Sequence, residues 1–276
     1  MIIASDAPCE PVGDAIAEAA PGILAAKADQ AWPRMLVLAI LAGVFIGFGS
    51  VVSLVAQSGM GDGGAVLLMA GAAFSVGLML VMVVGAELFT GNTLMVLPVV
   101  TGDLKPSRML GAWSMVWAGN LIGSGMLALL FWAAGGLSDG VGDAAIALAD
   151  AKLQKSPLAT FCSGVLANVL VCLAVWMAMA ADSIVTKLLV ILGPVMIFVA
   201  AGLEHSVANM SILPLGWLAD LSVAPDLAGG LTNLLLSTLG NITGGAALGL
   251  AIAFGHGAPS RNTMAQRSAG GENEDR

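Results

Sequence analysis

The feature that most constrains this chain is a series of long apolar segments that contain few charged residues. A helix needs about 20 predominantly apolar residues to cross a bilayer core that is about 30 Å thick. Six segments of at least that length follow one another, at residues 34–57, 64–101, 108–134, 157–181, 187–219 and 227–255. They predict an all-α integral membrane protein with six transmembrane helices.

The composition agrees with this class and argues against others. Hydrophobic residues make up 58% of the chain and charged residues 10%, whereas a soluble domain carries about a quarter charged residues. A net charge of −8 leaves no basic stripe, so we expect no nucleic-acid partner. The sequence shows no converging set of metal ligands and no phosphate-binding glycine loop, so we expect no metal, no cofactor and no use of ATP.

The positions of lysine and arginine predict the orientation. Short cytoplasmic loops keep these residues, whereas translocated loops contain few of them. With the N-terminus inside, eight of the ten face the cytoplasm: Lys27, Arg34, Lys105, Arg108, Lys187, Arg261, Arg267 and Arg276. Both termini are therefore predicted to be cytoplasmic, and only Lys152 and Lys155 lie on the opposite side.

The same pattern divides the chain into three parts. Residues 1–33 lack the positively charged start of a cleaved signal peptide, and we predict that they form a cytoplasmic arm. Residues 34–257 form the predicted six-helix channel domain. Residues 258–276 are polar and contain glycine and serine, which predicts a disordered cytoplasmic tail.

Two motifs recur in the two halves of the chain and indicate an internal repeat. Residues 85–92 read Gly-Ala-Glu-Leu-Phe-Thr-Gly-Asn and residues 202–209 read Gly-Leu-Glu-His-Ser-Val-Ala-Asn, so Gly, Glu and Asn keep the same spacing. Residues 119–123, Gly-Asn-Leu-Ile-Gly, are matched by residues 240–244, Gly-Asn-Ile-Thr-Gly. Each half holds three predicted spans, and because three is odd the second half enters the membrane inverted.

The second and fifth segments are too long for one simple crossing, and each contains polar residues and glycine in its interior. We predict that both helices are broken, with Gly85, Glu87, Asn92 and Gly202 as structural residues of the breaks. Channels and transporters with inverted repeats use such breaks to build a pathway near the membrane midplane. The two breaks are therefore expected to face each other.

Three acidic or basic side chains lie in the interior of the predicted spans, and all three are in the breaks: Glu87, Glu204 and His205. A charge near the bilayer centre is costly, so such residues mark pathways or paired structural sites. The two glutamates occupy equivalent positions and fit a structural role where a helix restarts. His205 corresponds to Leu88, and an imidazole exchanges protons near neutral pH. We expect a functional role for His205; the alternative is a hydrogen-bonded core histidine.

Three runs of sequence resemble the signatures of the formate/nitrite transporter family. They are residues 85–91, residues 167–176 (Ala-Asn-Val-Leu-Val-Cys-Leu-Ala-Val-Trp) and residues 202–210. The resemblance covers the chain from about residue 32 to about residue 257. It implies a homopentamer in the bacterial inner membrane, with an aquaporin-like fold of inverted repeats and a separate pore in each protomer.

The resemblance also implies which residues form the pore. Thr90 and His205 would flank its middle, and Lys152 would be the pore lysine. Three further polar residues would surround the histidine, namely Glu204, Asn168 and Asn209. Two apolar constrictions are implied, one formed by Phe74 and Phe198 and the other by Leu78, Leu88, Phe89 and Val171.

We therefore expect a membrane channel or transporter for a small monovalent anion, with formate as the first candidate and nitrite or hydrosulfide as alternatives. Lys152 would attract the anion and His205 would supply a proton, because a neutral acid enters an apolar slit at far lower cost than an ion. Two other classes are less well supported. The chain has no paired Asn-Pro-Ala motif of a neutral-solute aquaporin, and no catalytic set for an intramembrane enzyme.

Overall fold

All regular structure is helical in the residues that the computed structural model describes, 12–61 and 63–257. These residues form α1 (Val12–Ala28), α2 (Trp32–Gln57), α3 (Gly64–Val84), α4 (Phe89–Asn92), α5 (Val96–Thr101), α6 (Pro106–Ala133), α7 (Val141–Leu153), α8 (Pro157–Ala180), α9 (Ile184–Ala200), α10 (Ser206–Ala219) and α11 (Leu227–Gly255). A 3₁₀ turn, Thr93–Met95, joins α4 to α5. The predicted tail at 258–276 and the first part of the predicted arm lie outside the described residues.

Five helices, α2, α3, α6, α8 and α11, are long and apolar enough to cross a membrane. Proline lies in the first turn of α2, α6 and α8, where its fixed φ favours helix initiation and no intrahelical N–H bond is lost. The predicted ends of α2, α6, α8 and α11 agree with the structure to within two residues. The prediction of an all-helical protein with several apolar helices is confirmed.

The second and fifth predicted segments are each divided in the structure. α3 ends at Val84, Gly85 follows with a φ of +75°, and the chain is not helical again until α4 begins at Phe89. α9 ends at Ala200, Gly202 has a φ of +62°, and α10 begins at Ser206. Glycine is favoured at both positions because a side chain is strained at positive φ. We call residues 85–88 and 201–205 the first and second interruptions.

Two helices occur where the sequence analysis assigned an arm and a loop. α1 lies in the predicted arm, and its apolar face, which includes Ile16, Ala20 and Leu24, is buried in the main hydrophobic core. α7 lies between α6 and α8 and packs mainly against α10. Each of these helices carries a lysine in its last turn, Lys27 in α1 and Lys152 in α7. Both lysines take part in the candidate site.

The long helices approach one another closely through glycine. A Cβ atom on Gly123 of α6 would overlap the carbonyl oxygen of Ile40 in α2. α8 and α11 make the same kind of contact, because a Cβ atom on Gly164 would lie 2.9 Å from the carbonyl oxygen of Ser237. Side chains on α6 and α11 therefore lie close enough to the backbones of α2 and α8 for direct hydrogen bonds.

We expect Gly123→Ala to lower the free energy of unfolding by about 1–3 kcal/mol, because the added methyl group forces α2 and α6 apart. Gly125→Ala in the same helix is the matched control, since a Cβ atom there meets no atom within 4 Å. SDS titration in mixed micelles measures the apparent free energy of unfolding of both variants. Equal stability of the two variants would contradict the described packing.

Candidate functional site

A side chain that follows the first interruption meets, in the interior, the side chain that ends the second interruption. Oγ1 of Thr90, in the first turn of α4, lies 2.9 Å from Nε2 of His205, the last residue before α10. Both residues are buried, with 0% and 1% of their surfaces exposed. Because they are 115 residues apart in the chain, only the tertiary structure brings them together.

The surroundings of His205 determine which ring nitrogen carries its proton. Nδ1 accepts a hydrogen bond of 3.0 Å from the backbone N–H of Ala208, so the ring caps the first turn of α10. A nitrogen that accepts a hydrogen bond is unprotonated, so in the neutral ring the hydrogen is on Nε2. Nε2 therefore donates to Oγ1 of Thr90, and the threonine hydroxyl keeps its own hydrogen for another acceptor.

The ring of Phe198 contacts both the ring of His205 and the ring of Phe74. It stacks on the imidazole with 5.6 Å between centroids and 21° between planes. It meets Phe74 edge-on, with 5.5 Å between centroids and 84° between planes. An apolar aromatic pair thus lies directly against the central histidine.

An asparagine from a neighbouring helix satisfies the backbone at each interruption. Asn120 of α6 accepts from the N–H of the first residue of α4 (2.9 Å) and donates to the carbonyl oxygen of Glu87 (2.9 Å). Asn241 of α11 accepts from the N–H of the first residue of α10 (2.8 Å) and donates to the carbonyl oxygen of Glu204 (2.9 Å). Peptide groups without partners inside a membrane protein cost several kcal/mol each, and these side chains remove that cost.

The carboxylate of Glu204 is the centre of a polar cluster beside the central histidine. It accepts hydrogen bonds from Lys155 Nζ (2.6 Å), Asn209 Nδ2 (2.6 Å), Lys152 Nζ (3.3 Å) and Asn233 Nδ2 (3.3 Å). The carboxylate is fully buried, whereas the two lysine side chains are 7% (Lys152) and 28% (Lys155) exposed. An isolated buried charge is costly, so this glutamate depends on its partners. We call these five residues the Glu204 cluster.

The carboxylate of Glu87 has a corresponding set of partners. It accepts hydrogen bonds from Lys27 Nζ (3.1 Å), Gln30 Nε2 (2.7 Å) and Asn92 Nδ2 (2.8 Å). We call these four residues the Glu87 cluster. Lys27 comes from α1, so the amino-terminal helix contributes directly to the interior of the protein.

The partners of the two glutamates follow a common offset along the chain. The two backbone-binding asparagines also donate to the carbonyl oxygens of Ala39 in α2 and Gly164 in α8, which are 125 residues apart. The same separation relates two further pairs, Lys27 with Lys152 and Gln30 with Lys155. Each glutamate therefore binds partners from corresponding positions just before a long helix.

Two cavities lie towards opposite ends of α3. The α7-side cavity has a volume of about 340 Å³, and its wall includes Lys152, His205, Phe74 and Phe198. The α1-side cavity has a volume of about 200 Å³, and its wall includes Lys27, Asn92, Leu78 and Leu88. Because α3 lines one cavity with residues 67–74 and the other with residues 78–82, its middle separates them. Each cavity contains one lysine, and the α7-side cavity is lined by the second interruption whereas the α1-side cavity is lined by the first.

Comparison with known proteins decides the family. The profile described as formate/nitrite transporter matches residues 14–255, most of the chain. This chain belongs to the formate/nitrite transporter family. The resemblance found in the sequence is thereby confirmed. Family members are channels and transporters, so this protein is a membrane channel or transporter and not an enzyme.

Two curated relatives represent both substrates in the family name. The formate channel FocA of Escherichia coli strain K12 is 35% identical over 245 residues, which is 80% of this chain and 86% of FocA. The nitrite transporter NirC of the same strain is 36% identical over 178 residues, 64% of this chain and 66% of NirC. The two identities are nearly equal, so identity alone does not select the substrate.

Two solved structures share the fold. An FNT family ion channel superposes with a TM-score of 0.78 at 33% identity and covers 90% of this chain and 99% of its own. A pentameric formate channel with formate bound superposes with a TM-score of 0.70 at 32% identity, covering 78% of this chain and 93% of its own. The arrangement of helices described above is therefore that of a formate/nitrite transporter family channel.

The remaining residues expected in the transporter pore lie in several environments. Asn168 donates to the carbonyl oxygen of Thr90 (3.2 Å) and to Thr93 Oγ1 (2.9 Å), so its hydrogen bonds support the first turn of α4. Phe89 packs edge-on against Trp113, with 6.2 Å between centroids. Val171 is buried in the main core. Of the second predicted constriction, Leu78 and Leu88 line the α1-side cavity.

Several members of the Glu87 and Glu204 clusters were not predicted from the sequence. Lys27 and Gln30 fell in the segment assigned as an arm, and Lys155 was treated as a loop residue. The separation of 125 residues, which relates Lys27 to Lys152 and Gln30 to Lys155, was present in the sequence. It was not used, because the repeat was recognised only in the interruptions and in the third and sixth spans.

We expect Asn241→Ala to lower the free energy of unfolding by about 2–4 kcal/mol, because it leaves buried backbone groups at the second interruption without their partner. Thr243→Ala in the same helix is the control, since that exposed hydroxyl bonds only to a carbonyl of its own helix. SDS titration in mixed micelles compares the two. A loss for Asn241→Ala no larger than that of the control would contradict the assigned role.

Proposed function

We propose that this chain forms a channel in a bacterial inner membrane that moves formate together with a proton, or as formic acid. The observation that carries the proposal is the contact between Thr90 and His205. His205 lines the α7-side cavity, Thr90 is close in the chain to Leu88 and Gly91, which line the α1-side cavity, and each cavity contains a lysine. Nitrite is the second candidate substrate, because NirC of E. coli is as similar in identity as FocA.

The proposed topology has six crossings arranged as two inverted three-helix repeats, as in aquaporins. In this arrangement α3 with α4 and α5 forms the broken second crossing, and α9 with α10 forms the broken fifth crossing. The duplicated contacts of the two glutamate clusters support the repeat, and the odd number of crossings per repeat supports the inversion. With both termini in the cytoplasm, the α1-side cavity opens to the cytoplasm and the α7-side cavity opens to the periplasm.

The apolar segment between the cavities is the barrier that the proposed mechanism must overcome. Phe74 and Phe198 line one side of it, and Leu78 and Leu88 line the other. An anion that enters such a slit loses its hydration, whereas the neutral acid does not carry that cost. Formate therefore crosses this segment in its protonated form and ionises again in the opposite cavity.

The two lysines serve the approach of the anion in this mechanism. Lys152 lines the same cavity as His205, and Lys27 lines the opposite one. Both are bound to a glutamate, so each ammonium group is held in place rather than mobile. An anion in either cavity meets a fixed cation before it reaches the Thr90 and His205 pair.

The hydrogen bonds of His205 set the route of the proton. The Thr90 hydroxyl, which receives Nε2–H, has its own hydrogen available for the anion. When the hydroxyl gives that hydrogen to formate, Thr90 takes the hydrogen from Nε2. A proton from solvent then binds Nδ1, so the imidazole ring stays neutral. Protonation of Nδ1 breaks its bond to the N–H of Ala208, so proton delivery is coupled to release of the cap on α10.

We also propose that five copies assemble, each with its own pathway. The support is the pentameric formate channel that superposes on 78% of this chain. Crosslinking in membranes followed by mass measurement of the detergent-solubilised complex tests the number of copies.

We expect His205→Asn to reduce formate flux in proteoliposomes by about a hundredfold and to abolish its increase at acidic pH, because asparagine can cap α10 but cannot carry a proton. The matched control is Thr90→Ser, which keeps the hydroxyl that contacts the histidine. Uptake is followed with an internal pH dye and labelled formate at neutral and acidic pH. Unchanged flux and pH dependence in His205→Asn would contradict the proton route.

A competition experiment compares the candidate substrates. Formate, nitrite and hydrosulfide are each supplied as a gradient to vesicles that contain the wild-type chain. Formate is expected to dissipate its gradient fastest, and the other two anions are expected to compete with it. Free conduction of glycerol without saturation by any anion would support a neutral-solute channel instead.

A further inference from the structure

We propose that Lys155 sets the anion affinity of the α7-side mouth: it neutralises Glu204, so that the positive charge of Lys152 is left for the arriving anion. The inference rests on the proposed anion transport and adds an asymmetry between the two mouths. Lys155 would be a positioning residue, because it acts on the anion through Glu204 and Lys152. The comparison of the two glutamate clusters provides the argument.

The clusters differ at a single equivalent position in the residues before the long helices. Gln30 donates to Oε1 of Glu87 at 2.7 Å, and Lys155 donates to Oε1 of Glu204 at 2.6 Å. The other lysine of each cluster binds Oε2, at 3.1 Å for Lys27 and 3.3 Å for Lys152. A neutral amide in one repeat is therefore replaced by an ammonium group at the same carboxylate oxygen in the other.

This difference changes the charge of the clusters. With its lysine protonated, the Glu87 cluster has one cation and one carboxylate and is neutral. With both lysines protonated, the Glu204 cluster has two cations and one carboxylate and carries a net charge of +1. Among the described residues, neither lysine of the Glu204 cluster has another carboxylate within ion-pair distance.

The surroundings of the Glu87 cluster do not supply the missing charge. Arg108 donates to the backbone carbonyl of Gln30 at 2.6 Å. It also lies 3.8 Å from a carboxylate oxygen of Asp29, which offsets its charge. Of the two clusters, only the Glu204 cluster therefore carries an excess positive charge.

The geometry gives the two lysines of the Glu204 cluster different tasks. Lys155 makes the shorter ion pair with Glu204 and also donates to the backbone carbonyl of Gly202, so its ammonium group is largely occupied. Lys152 makes the longer ion pair and lines the α7-side cavity together with His205. A third cavity, of about 420 Å³, includes both lysines and Ser163 in its wall. Lys152 therefore lines the α7-side cavity, whereas Lys155 lines only the third of these cavities.

Charge balance then gives the effect on transport. A lysine whose charge is cancelled by its glutamate attracts an anion weakly, whereas an uncompensated cation in a partly buried cavity attracts it strongly. The α7 side should therefore saturate at a lower anion concentration than the α1 side. Removing only the charge of Lys155 should make the two sides alike.

The test uses membrane vesicles of both orientations from cells that produce the chain. Right-side-out and inverted vesicles present opposite mouths to the external anion. In Lys155→Gln, which introduces the residue found at the equivalent position, we expect the half-saturating formate concentration to rise about fivefold to tenfold on one side only. That side is the α7 side, and high salt should reduce the difference. Lys155→Arg, which keeps the charge, should retain the wild-type value.

The reciprocal substitution separates charge from structure. Gln30→Lys gives the Glu87 cluster a second cation, and we expect it to lower the half-saturating concentration on the α1 side only. If Lys155→Gln only impairs folding, the amount of active protein falls and the maximal rate falls on both sides. The half-saturating concentration then does not change on one side alone. Equal half-saturation changes on both sides, or no change in either variant, would overturn the inference.

Failure of the proposed function gives a different result. The same measurements are made with formate and with nitrite, so the effect of Lys155→Gln can be tested with whichever anion the wild-type chain carries. A wild-type chain that carries neither anion overturns the proposed function and the inference with it. A wild-type chain that carries either one, without a one-sided effect of Lys155→Gln, overturns the inference alone.

Discussion

The structure depends on how two stretches of non-helical backbone are hydrogen-bonded inside an apolar protein. Each interruption leaves peptide groups without helical partners, and water is not available in the hydrocarbon region to bind them. Asn120 and Asn241 each bridge the N–H that follows an interruption and the carbonyl of the glutamate within it. Because both asparagines also bind a carbonyl of a long neighbouring helix, the interruptions are fixed to the helix pairs packed through glycine.

The fixed interruptions bring polar chemistry to one point of an otherwise apolar interior. His205 ends the second interruption and caps α10, and Thr90 follows the first. Each glutamate is buried, and lysines from the segments before α2 and α8 compensate its charge. The same construction thus supports the backbone and places cations beside both cavities. In the proposed mechanism, the stability of the interruptions and the attraction of the substrate therefore depend on shared residues.

Much of the candidate site was predictable from the sequence, because the same motif of Gly, Glu and Asn occurs in both halves of the chain. Glu87, Glu204 and His205 stood out as ionisable side chains in apolar segments, where such residues are costly. The spacing of Gly, Glu and Asn predicted the positions where the helices stop. Lys27, Gln30 and Lys155 were not recognised, since they lie in polar stretches where a lysine or glutamine normally remains in solvent. Nothing in their local sequence distinguishes them from surface residues.

The sequence by itself determined the helical class, the positions of the interruptions and the family, since hydrophobic segment length, glycine placement and short motifs are local properties of the chain. Tertiary structure alone decided that α1 packs into the core, that Thr90 meets His205 across 115 residues, and that Glu204 binds two lysines whereas Glu87 binds one. The physical reason is that hydrogen bonds and ion pairs depend on distance in space. Helix packing sets those distances, and residue spacing along one segment does not encode them.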